Sequence, residues 1–371
     1  MKLCHVVLKP RLSGAEILVA HLAVRQQRAQ GQVSVVAMDA MEPSYEVFAS
    51  RMAAAGVEVR IPEGRVSRLG RVTWLRRHLR ALRPDAIFAH SVLPAAYARV
   101  GALGLGIPVI TVLHSADQDD YGERKLEVFE KYVLPKPAAV IAVAPAAAEN
   151  YRRRMAYTGR AITIANGVDV EAIRSASSER ERVRREVLKV DSSARVVLQM
   201  GRIAPVKRQI ETLSAVEALG AERSIHLVFA GLVQDADYAA ELKGRIERSA
   251  IRNRVSLLGP WSEPYELLGA ADIFVMPSRD EASSVAFLEA LASGRAVVAS
   301  PIPSFAFASG IPGVDFVEPG QESAYASAIL SSLERGVERY DRDLSGYELA
   351  STVAKYRSLA EFVTGDGQDD S

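Results

Sequence analysis

Cations stand close together in the second half of the chain, just after an apolar run that ends at Met200. Arg202 follows that run after one glycine, and Lys207 and Arg208 come where the next helical stretch begins. Arginine can bond phosphate oxygens bidentately, and lysine acts as a point charge. A helix N-terminus also favours negative charge. This spacing predicts a diphosphate site, with a pair of solvated surface cations as the alternative.

Two carboxylates, Glu281 and Glu289, follow the apolar run that ends at Met276. If the segment is a loop that runs into a helix, eight residues cover up to about 12 Å of helix axis. Paired carboxyl groups in glycosidases are only about 5 to 9.5 Å apart, so an acid and nucleophile pair is disfavoured. The spacing better suits carboxylates at the two ends of a long ligand, one at a sugar and one at a ribose. The alternative for Glu289 is a helix-surface carboxylate.

Two histidines, His90 and His114, each end an apolar run and are each followed by serine. A histidine at a strand end can donate a hydrogen bond or stabilise developing negative charge. A purely structural role is the alternative. No histidine pair has the spacing of a zinc site with a neighbouring acid, and we therefore expect no bound metal and no cofactor.

The turn at Gly14 follows the first apolar run and opens a helical stretch. Glycine there lets the backbone approach a ligand, although many such turns only cap a helix. The three-glycine fingerprint of dinucleotide binding is absent, which argues against a nicotinamide-dependent dehydrogenase.

These residues need elements to position them, and the hydropathy pattern supplies those elements. Short apolar runs alternate with longer stretches of helical period, which is typical of βαβ units with parallel sheets. Strands are predicted in two series, at residues 3–8, 33–38, 57–61, 86–89, 109–113, 139–143 and 161–164, and at 195–200, 226–230, 255–258, 273–277, 296–300 and 314–317. Helices are predicted at residues 15–29, 72–82, 121–133 and 351–364.

The break between the series predicts two domains, residues 1–175 and 176–350, with a final helix at about 351–365 that packs back on the first. Residues 179–186 interrupt the apolar pattern with a run of charges, which we interpret as a solvated helix start after a linker. Ligands of open parallel sheets bind outside the carboxyl ends of the strands. We therefore expect the site in a cleft between the two sheets.

Bulk composition agrees with a globular α/β enzyme. The chain has 371 residues, 49% of them hydrophobic and 25% charged, and a net charge of +1, so no overall field favours nucleic acid. The single cysteine, Cys4, rules out an intrachain disulfide and a cysteine-based zinc framework. The first apolar run is too short for a signal-peptide core, and no run is long enough to span a bilayer. These features predict a cytoplasmic protein.

An arginine-rich segment runs from Arg65 to Arg83. Its apolar side chains recur at helical spacing, which predicts an inward face of Val72, Leu75, Leu79 and Leu82 and an outward face of Trp74, Arg76, Arg77, Arg80 and Arg83. The hypothesis is a docking surface for anionic lipid head groups on the inner face of a membrane. The alternative is an ordinary solvated helix.

Taken in order along the chain, these segments resemble glycosyltransferase family 4, a family of retaining enzymes with the GT-B fold. The likeness is carried by residues 13–16, 164–169, 201–207, 258–259, 271–278, Glu281 with Glu289, and 290–294. It implies two Rossmann-like, doubly wound α/β domains that face each other across a cleft. It also implies metal-independent transfer of a sugar from a nucleoside-diphosphate sugar, UDP-linked in the first place and GDP-linked as an option.

The resemblance also implies a role for each matching residue. Arg202 and Lys207 would bind the donor diphosphate, which Gly14 would approach from the other domain. Glu289 would hold the ribose, while Glu281 and His114 would contact the donor sugar. The backbone at Leu258 and Gly259 would lie near the base, and the residues beside the sugar would be Ser283, Ser284 and Val285.

Three positions depart from the family pattern. Residues 282–284 are Ala-Ser-Ser where Gly-Phe-Gly is common, Arg295 stands where a small residue or proline is common, and Ser304-Phe305 replaces a diglycine. The donor sugar therefore stays open. So does the acceptor, which could be a small molecule, a lipid-linked sugar or a polysaccharide precursor. A sugar-nucleotide epimerase and a non-catalytic sugar-nucleotide-binding protein remain alternatives.

Overall fold

The structure is a computed structural model that describes residues 1–29, 31–114, 124–220, 223–336 and 339–365. Contacts within the chain divide it into two compact units. The first unit is Met1–Gly167 together with Leu349–Ser371, and the second is Val168–Glu348.

The described part of the first unit forms one parallel sheet of seven strands in the order β3-β2-β1-β4-β5-β6-β7. The strands are β1 Lys2–Val7, β2 Gln32–Ala37, β3 Glu58–Arg60, β4 Ala86–His90, β5 Val109–Leu113, β6 Ala139–Ala142 and β7 Ala161–Thr163. The helices between them are α1 Gly14–Arg28, α2 Glu46–Ala54, α3 Arg68–Leu82, α4 Val92–Gly101, α5 Arg124–Tyr132 and α6 Pro145–Met155. The predicted helix at 121–133 includes residues 121–123, which lie outside the described residues.

The second unit repeats this design with six described strands in the order β10-β9-β8-β11-β12-β13, all parallel. They are β8 Arg195–Met200, β9 Ile225–Ala230, β10 Val255–Leu257, β11 Ile273–Met276, β12 Ala296–Ala299 and β13 Val314–Phe316. Its helices are α7 Val170–Ser175, α8 Arg180–Arg182, α9 Gln209–Ala218, α10 Ala236–Arg248, α11 Pro264–Ala270, α12 Val285–Ser293 and α13 Glu322–Arg335, and α8 continues as a π-helix over Val183–Leu188. Every strand predicted from the hydropathy pattern is present.

The last helix, α14 Leu349–Thr364, belongs to the first unit. The Tyr356 ring lies 5.0 Å from the Phe88 ring of β4, centroid to centroid. The Thr352 hydroxyl donates to the Ala165 carbonyl at 3.2 Å. These contacts place the C-terminal helix in the first unit, on a core that also includes Leu18 of α1.

The boundary between the units falls at 167/168, earlier than the 175/176 expected from composition. The reason is that α7 packs Ile173 into the core of the second unit. The charged run that follows is also not a solvated helix start. Arg180 and Arg184 both bond the Asp272 carboxylate, at 2.6 and 2.5 Å, and Val183 is fully buried.

Helix α3 only partly follows its predicted faces. Leu75 and Leu79 are fully buried as expected. The outward assignment is wrong for Trp74, whose indole N–H donates to the Ala37 carbonyl at 2.9 Å. It is also wrong for Arg76, which donates to the Gly101 and Leu103 carbonyls at 2.9 and 2.6 Å. Backbone carbonyls at the ends of neighbouring elements recruit these side chains, and the exposed cations of α3 and its C-cap are Arg68, Arg77, Arg80 and Arg83.

Each sheet has a point where the strand order reverses. It lies between β1 and β4 in the first unit and between β8 and β11 in the second. At such a point the loops after adjacent strands diverge, which leaves room for a ligand at the carboxyl ends. Among the helices of the described residues, none is both long and apolar enough to cross a membrane.

Candidate functional site

Glycines end three adjacent strands of the second sheet. Gly201 follows β8 and donates its N–H to the Ala230 carbonyl at 2.9 Å, and Gly231 follows β9 and donates to the Gly259 carbonyl at 2.8 Å. A Cβ atom at Gly231 would overlap the Gly201 carbonyl oxygen. Gly259 has φ +69° and open space where a side chain would stand. This edge is therefore bare backbone, which a ligand can approach closely.

Sequence reasoning included Gly201 and Gly259 but missed Gly231. A signal was present, because Gly231 directly follows a predicted strand in the same way as Gly201 does. Leu258 donates its backbone N–H to the Phe229 carbonyl at 2.9 Å and packs its half-buried side chain against the unit's core.

Lys207 ends a 3-10 turn, Pro205–Lys207, at the reversal point of the second sheet. Its ammonium contacts the Glu281 carboxylate in an ion pair, with each side chain 10% exposed. Glu281 also accepts from the Ser278 hydroxyl at 2.8 Å. The loop after β11 is tied to the lysine turn because the Arg279 N–H donates to the Val206 carbonyl at 2.9 Å.

The structure thus brings together two residues that the resemblance assigns to different parts of the donor. Removing one member of a largely buried ion pair costs about 3–5 kcal/mol, because the other charge is left unpaired. Each charge is therefore held in place by the other. An anionic ligand that draws Lys207 away from Glu281 has to replace the negative charge that Glu281 provides.

The remaining cations of this region differ in availability. Arg208 forms ion pairs with Glu318 at 3.1 Å and Glu211 at 3.6 Å, so it is engaged within the unit. Arg202 is exposed, and within the described part of the chain its guanidinium forms no ion pair. Its backbone is fixed by Gln209, which donates to the Arg202 carbonyl at 2.8 Å.

Glu289 lies in the middle of α12 and is only 5% exposed, which excludes the helix-surface alternative. Burial raises the pKa of this carboxyl to about 8. Within the described ranges, no side chain or backbone group forms a hydrogen bond or ion pair with it. Buried polar groups are nearly always bonded, and such an exception calls for an explanation such as a missing ligand.

The start of α12 carries the residues that depart from the family pattern. Ser284 is the N-cap, and its hydroxyl accepts from the Phe287 N–H at 3.3 Å. Val285 is the first helical residue, and Ser283 precedes the cap. The first N–H groups of a helix have no acceptor within the helix, so they face whatever binds at this end.

The other two departures make contacts within the second unit. Arg295 is buried and donates to the Gly269 carbonyl at 2.8 Å. The Phe305 ring stacks on Phe287 of α12 at 4.0 Å between centroids. Arg295 and Phe305 thus have structural partners, whereas the Ser304 hydroxyl is buried without a hydrogen-bond partner among the described residues.

In the first unit, His114 follows β5 and is bonded to His90, the last residue of β4. His114 Nε2 lies 2.9 Å from His90 Nδ1, and His90 Nε2 lies 2.9 Å from His5 Nδ1. Burial lowers the pKa values of His5 and His114 to about 4, and the pKa of His90 is lowered by burial and by its two neighbours. All three rings are therefore neutral at pH 7.

Sequence reasoning missed His5, whose only signal was a polar residue inside the first apolar run. The three rings are bonded in series and do not converge on a point. Across the described ranges, no group of three or more His, Cys, Asp or Glu side chains is arranged to hold a metal ion.

Gly14 is the first residue of α1 and is exposed. The Ser13 hydroxyl at the N-cap contacts the Glu16 carboxylate, and burial raises the pKa of Glu16. Gly14 and His114 belong to the first unit, whereas Arg202, Lys207, Leu258, Glu281, Glu289 and residues 283–285 belong to the second.

Models of two protein families match the chain in this same order. Residues 12–172 match Glycosyltransferase Family 4, and residues 194–335 match Glycosyl transferases group 1. The chain therefore carries a Glycosyltransferase Family 4 domain followed by a Glycosyl transferases group 1 domain.

Individual relatives are only distantly similar. The chain is 26% identical over 255 residues to TuaC of Bacillus subtilis, which is named as a teichuronic acid biosynthesis glycosyltransferase; the match covers 67% of this chain and 61% of TuaC. It is 30% identical over 213 residues to a D-inositol 3-phosphate glycosyltransferase of Corynebacterium glutamicum, covering 54% of this chain and 50% of that enzyme. The matches thus span between about half and three fifths of these relatives.

Solved structures of glycosyltransferases share the fold over nearly the whole chain. Anabaena HepE in complex with UDP-glucose has a TM-score of 0.75 at 20% identity, covering 99% of this chain and 98% of HepE. WaaG, which takes part in lipopolysaccharide biosynthesis, has a TM-score of 0.68 at 16% identity, covering 98% and 100%. The predicted GT-B class, with two Rossmann-like α/β domains, is confirmed.

Proposed function

We propose that this chain is a retaining glycosyltransferase that moves a sugar from a nucleoside-diphosphate sugar, UDP-linked in the first place, to an acceptor hydroxyl. The observation that carries the proposal is Glu289, a buried carboxyl without a partner in the described residues, on the helix that begins beside the Lys207–Glu281 pair. Support also comes from the family match and from the fold shared with HepE, whose structure contains UDP-glucose.

In this proposal Glu289 binds the ribose. Vicinal hydroxyls offer two donors to one carboxylate. These charge-assisted hydrogen bonds favour the ionised form, so ribose binding lowers the pKa that burial raises to about 8 in the free protein. The bare backbone at Gly259 and Leu258 then receives the base.

Lys207 and Arg202 bind the diphosphate. As the phosphates draw the ammonium of Lys207 toward themselves, Glu281 becomes available to hydroxyls of the donor sugar while Ser278 continues to hold it. The first N–H groups of α12, which begins at Val285, and those of Ser283 and Ser284 just before it add a preorganised positive field. Such fixed cations and dipoles stabilise a departing diphosphate, and we propose that they do so here without a divalent metal.

The proposed chemistry needs no covalent intermediate on the protein. The bond between the anomeric carbon and the diphosphate oxygen breaks, and the acceptor oxygen forms its bond on the same face. The acceptor proton passes to the diphosphate. His114 contacts the donor sugar, and the Gly14 turn contacts the diphosphate, as the resemblance implies.

A thermal-shift screen over UDP-, GDP- and ADP-sugars tests the donor. A ligand at about 100 times its dissociation constant adds about 2.7 kcal/mol of stability, so the true donor class should separate clearly from the others. Donors that bind are then incubated with small sugars, lipid-linked sugars and polysaccharide precursors, and nucleoside diphosphate release is measured. If no donor releases nucleoside diphosphate with any acceptor, the proposal is wrong.

The same assays separate the two alternatives. An epimerase would convert the donor to an epimer without acceptor. A binding protein would show a thermal shift with zero turnover, and the shift would disappear in Glu289→Ala.

We also propose contact with an anionic membrane, through fewer residues than the sequence predicted. The surface is restricted to the exposed cations of α3 and its C-cap, with Leu69, which is 82% exposed, as an apolar anchor. The cytoplasmic location predicted from the sequence stays a prediction.

A further inference from the structure

Four polar side chains form a continuous hydrogen-bonded series through the first unit. Gln26 Oε1 lies 2.7 Å from His5 Nε2, and the two contacts between His5, His90 and His114 follow at 2.9 Å each. The rings stand on β1, β4 and just after β5, which are neighbouring strands of the sheet. Their ring centroids are 5.2 and 5.1 Å apart, with 24° and 22° between the ring planes. Exposure is 4% at Gln26, 0% at His5 and 4% at His90, so water does not interrupt the series.

Such a series of neutral rings has a direction. A neutral imidazole carries one N–H donor and one acceptor nitrogen. When one nitrogen of a ring accepts a hydrogen bond, the other must donate one. The donor and acceptor roles in one ring therefore fix the roles in the next ring. Only two fully bonded arrangements therefore exist, and they run in opposite directions.

The amide of Gln26 selects between the two arrangements. With its oxygen toward His5, His5 donates from Nε2 and accepts at Nδ1 from His90 Nε2. His90 then accepts at Nδ1 from His114 Nε2, and His114 Nδ1 is left as an unprotonated acceptor. With the amide turned around, every step reverses and His114 Nδ1 carries a proton. The structure has the oxygen toward His5, and the amide nitrogen is buried without a hydrogen-bond partner among the described residues.

We propose that Gln26, His5 and His90 are positioning residues that set the tautomer of His114, so that its outer nitrogen, Nδ1, accepts a hydrogen bond from a substrate hydroxyl. Within the described part of the chain, that nitrogen has no hydrogen-bond partner. Our identification of the hydroxyl as one of the donor sugar rests on the proposed function. The tautomer of His114 does not depend on the proposed function.

The first test needs only the folded wild-type protein. Long-range ¹H–¹⁵N NMR of the histidine side chains distinguishes protonated from unprotonated ring nitrogens. We expect the Nε2–H tautomer for His5, His90 and His114 at neutral pH. A His114 that is protonated at Nδ1, or a charged His5 or His90, overturns the proposal.

The second test uses Gln26→Leu with Gln27→Leu as its matched control. Gln27 lies on the same helix and accepts from the Val33 N–H at 2.9 Å, so its replacement also removes a hydrogen bond but leaves the histidines untouched. Gln26→Leu should give His114 a mixture of tautomers and lower kcat about fivefold, roughly the worth of one hydrogen bond, with a smaller change in KM for the donor. Gln27→Leu should preserve both the tautomer and kcat.

The outcomes separate the two proposals. A tautomer shift in a protein that transfers no sugar supports the histidine series and counts against the proposed function. If the enzyme transfers sugar but Gln26→Leu leaves the His114 tautomer unchanged, the proposed function is supported and the histidine proposal is wrong. If Gln26→Leu does not fold, the wild-type spectrum still decides.

Discussion

The two sheets reverse strand order in the same way, yet the side chains at the two reversal points have opposite character. The first unit places neutral, hydrogen-bonded histidines there, and the second places the ion pair of Lys207 and Glu281. The neutral rings satisfy one another without charge, so they tolerate near-complete burial. The ion pair keeps about a tenth of each side chain exposed, where a charged ligand can reach it. A shared topology thus supplies a place for a site, and the side chains after the strands decide its chemistry.

The largest effect should come from removing the cation at the second reversal point. Lys207→Met is expected to lower kcat/KM by about 10²–10³, the typical worth of a preorganised group that stabilises developing charge. Steady-state kinetics with the identified donor provide the measurement, and Lys243→Met, at a site whose side chain is 71% exposed, is the control.

The same variant should lose stability, because Glu281 is left unpaired. The double variant Lys207→Met/Glu281→Gln should therefore regain stability without regaining activity. Recovery of activity in the double variant would mean that Lys207 only neutralises Glu281.

The two ends of β11 offer a second contrast. Asp272 precedes the strand and bonds Arg180, Arg184 and the Val196 N–H at 2.6, 2.5 and 2.6 Å, whereas Glu281 follows it. Asp272→Asn should destabilise the fold by about 3 kcal/mol at pH 7 and leave donor affinity nearly unchanged. Chemical denaturation and calorimetry with UDP measure the two effects. If Asp272→Asn keeps its stability but loses UDP binding, Asp272 has a role in ligand binding and not in stabilising the fold.

The pH dependence gives the sign of the Asp272 contribution. Burial alone would raise its pKa, but the Val196 N–H and the two arginines outweigh burial and hold the pKa below its ordinary value. Its stabilisation is therefore present above that ordinary value and is lost as the pH falls through the folded-state pKa. The stability difference between wild type and Asp272→Asn should shrink under acid conditions.

We expect Glu289 to lower the stability of the free protein at neutral and higher pH and to increase its affinity for the donor. Its folded-state pKa of about 8 lies above the ordinary value, so the folded protein holds this proton more tightly than the unfolded chain does. Wild-type stability should fall as the pH rises from about 4.5 to 8, and Glu289→Gln should flatten that decline. UDP affinity should drop about tenfold or more through loss of a charge-assisted bond.

Denaturation at pH 5 and pH 8, together with calorimetry, measures both properties. The control is Glu247→Gln, at a side chain that is 65% exposed. If Glu289→Gln binds UDP as tightly as wild type does, Glu289 is not the ribose ligand.

The smallest effect should be on the outer surface of the first unit. Arg77→Gln/Arg80→Gln should weaken sedimentation with anionic phosphatidylglycerol vesicles, each charge near such a surface being worth about 1 kcal/mol. The control is Arg245→Gln/Arg248→Gln on α10, which removes the same charge from the second unit. Equal loss in both pairs would indicate a general charge effect, and no loss in either would eliminate the docking surface.

Much of the fold was predictable because it depends on local pattern. Apolar runs of four to six residues between helical stretches located all the described strands, and the glycine after β8 marked the bare backbone at the end of that strand. The segments that carry the family likeness are also local. Their order along the chain was enough to indicate both the family and the GT-B fold.

The sequence by itself therefore determined two parallel-sheet units and the residues that end their strands. Only the tertiary structure decided which of those residues meet, since Lys207 and Glu281 are 74 positions apart and His5 and His90 are 85 apart. The domain boundary, the inward turn of Trp74 and Arg76, and the burial of Glu289 were decided in the same way. These outcomes depend on strand order and on packing between distant elements, which no local pattern encodes.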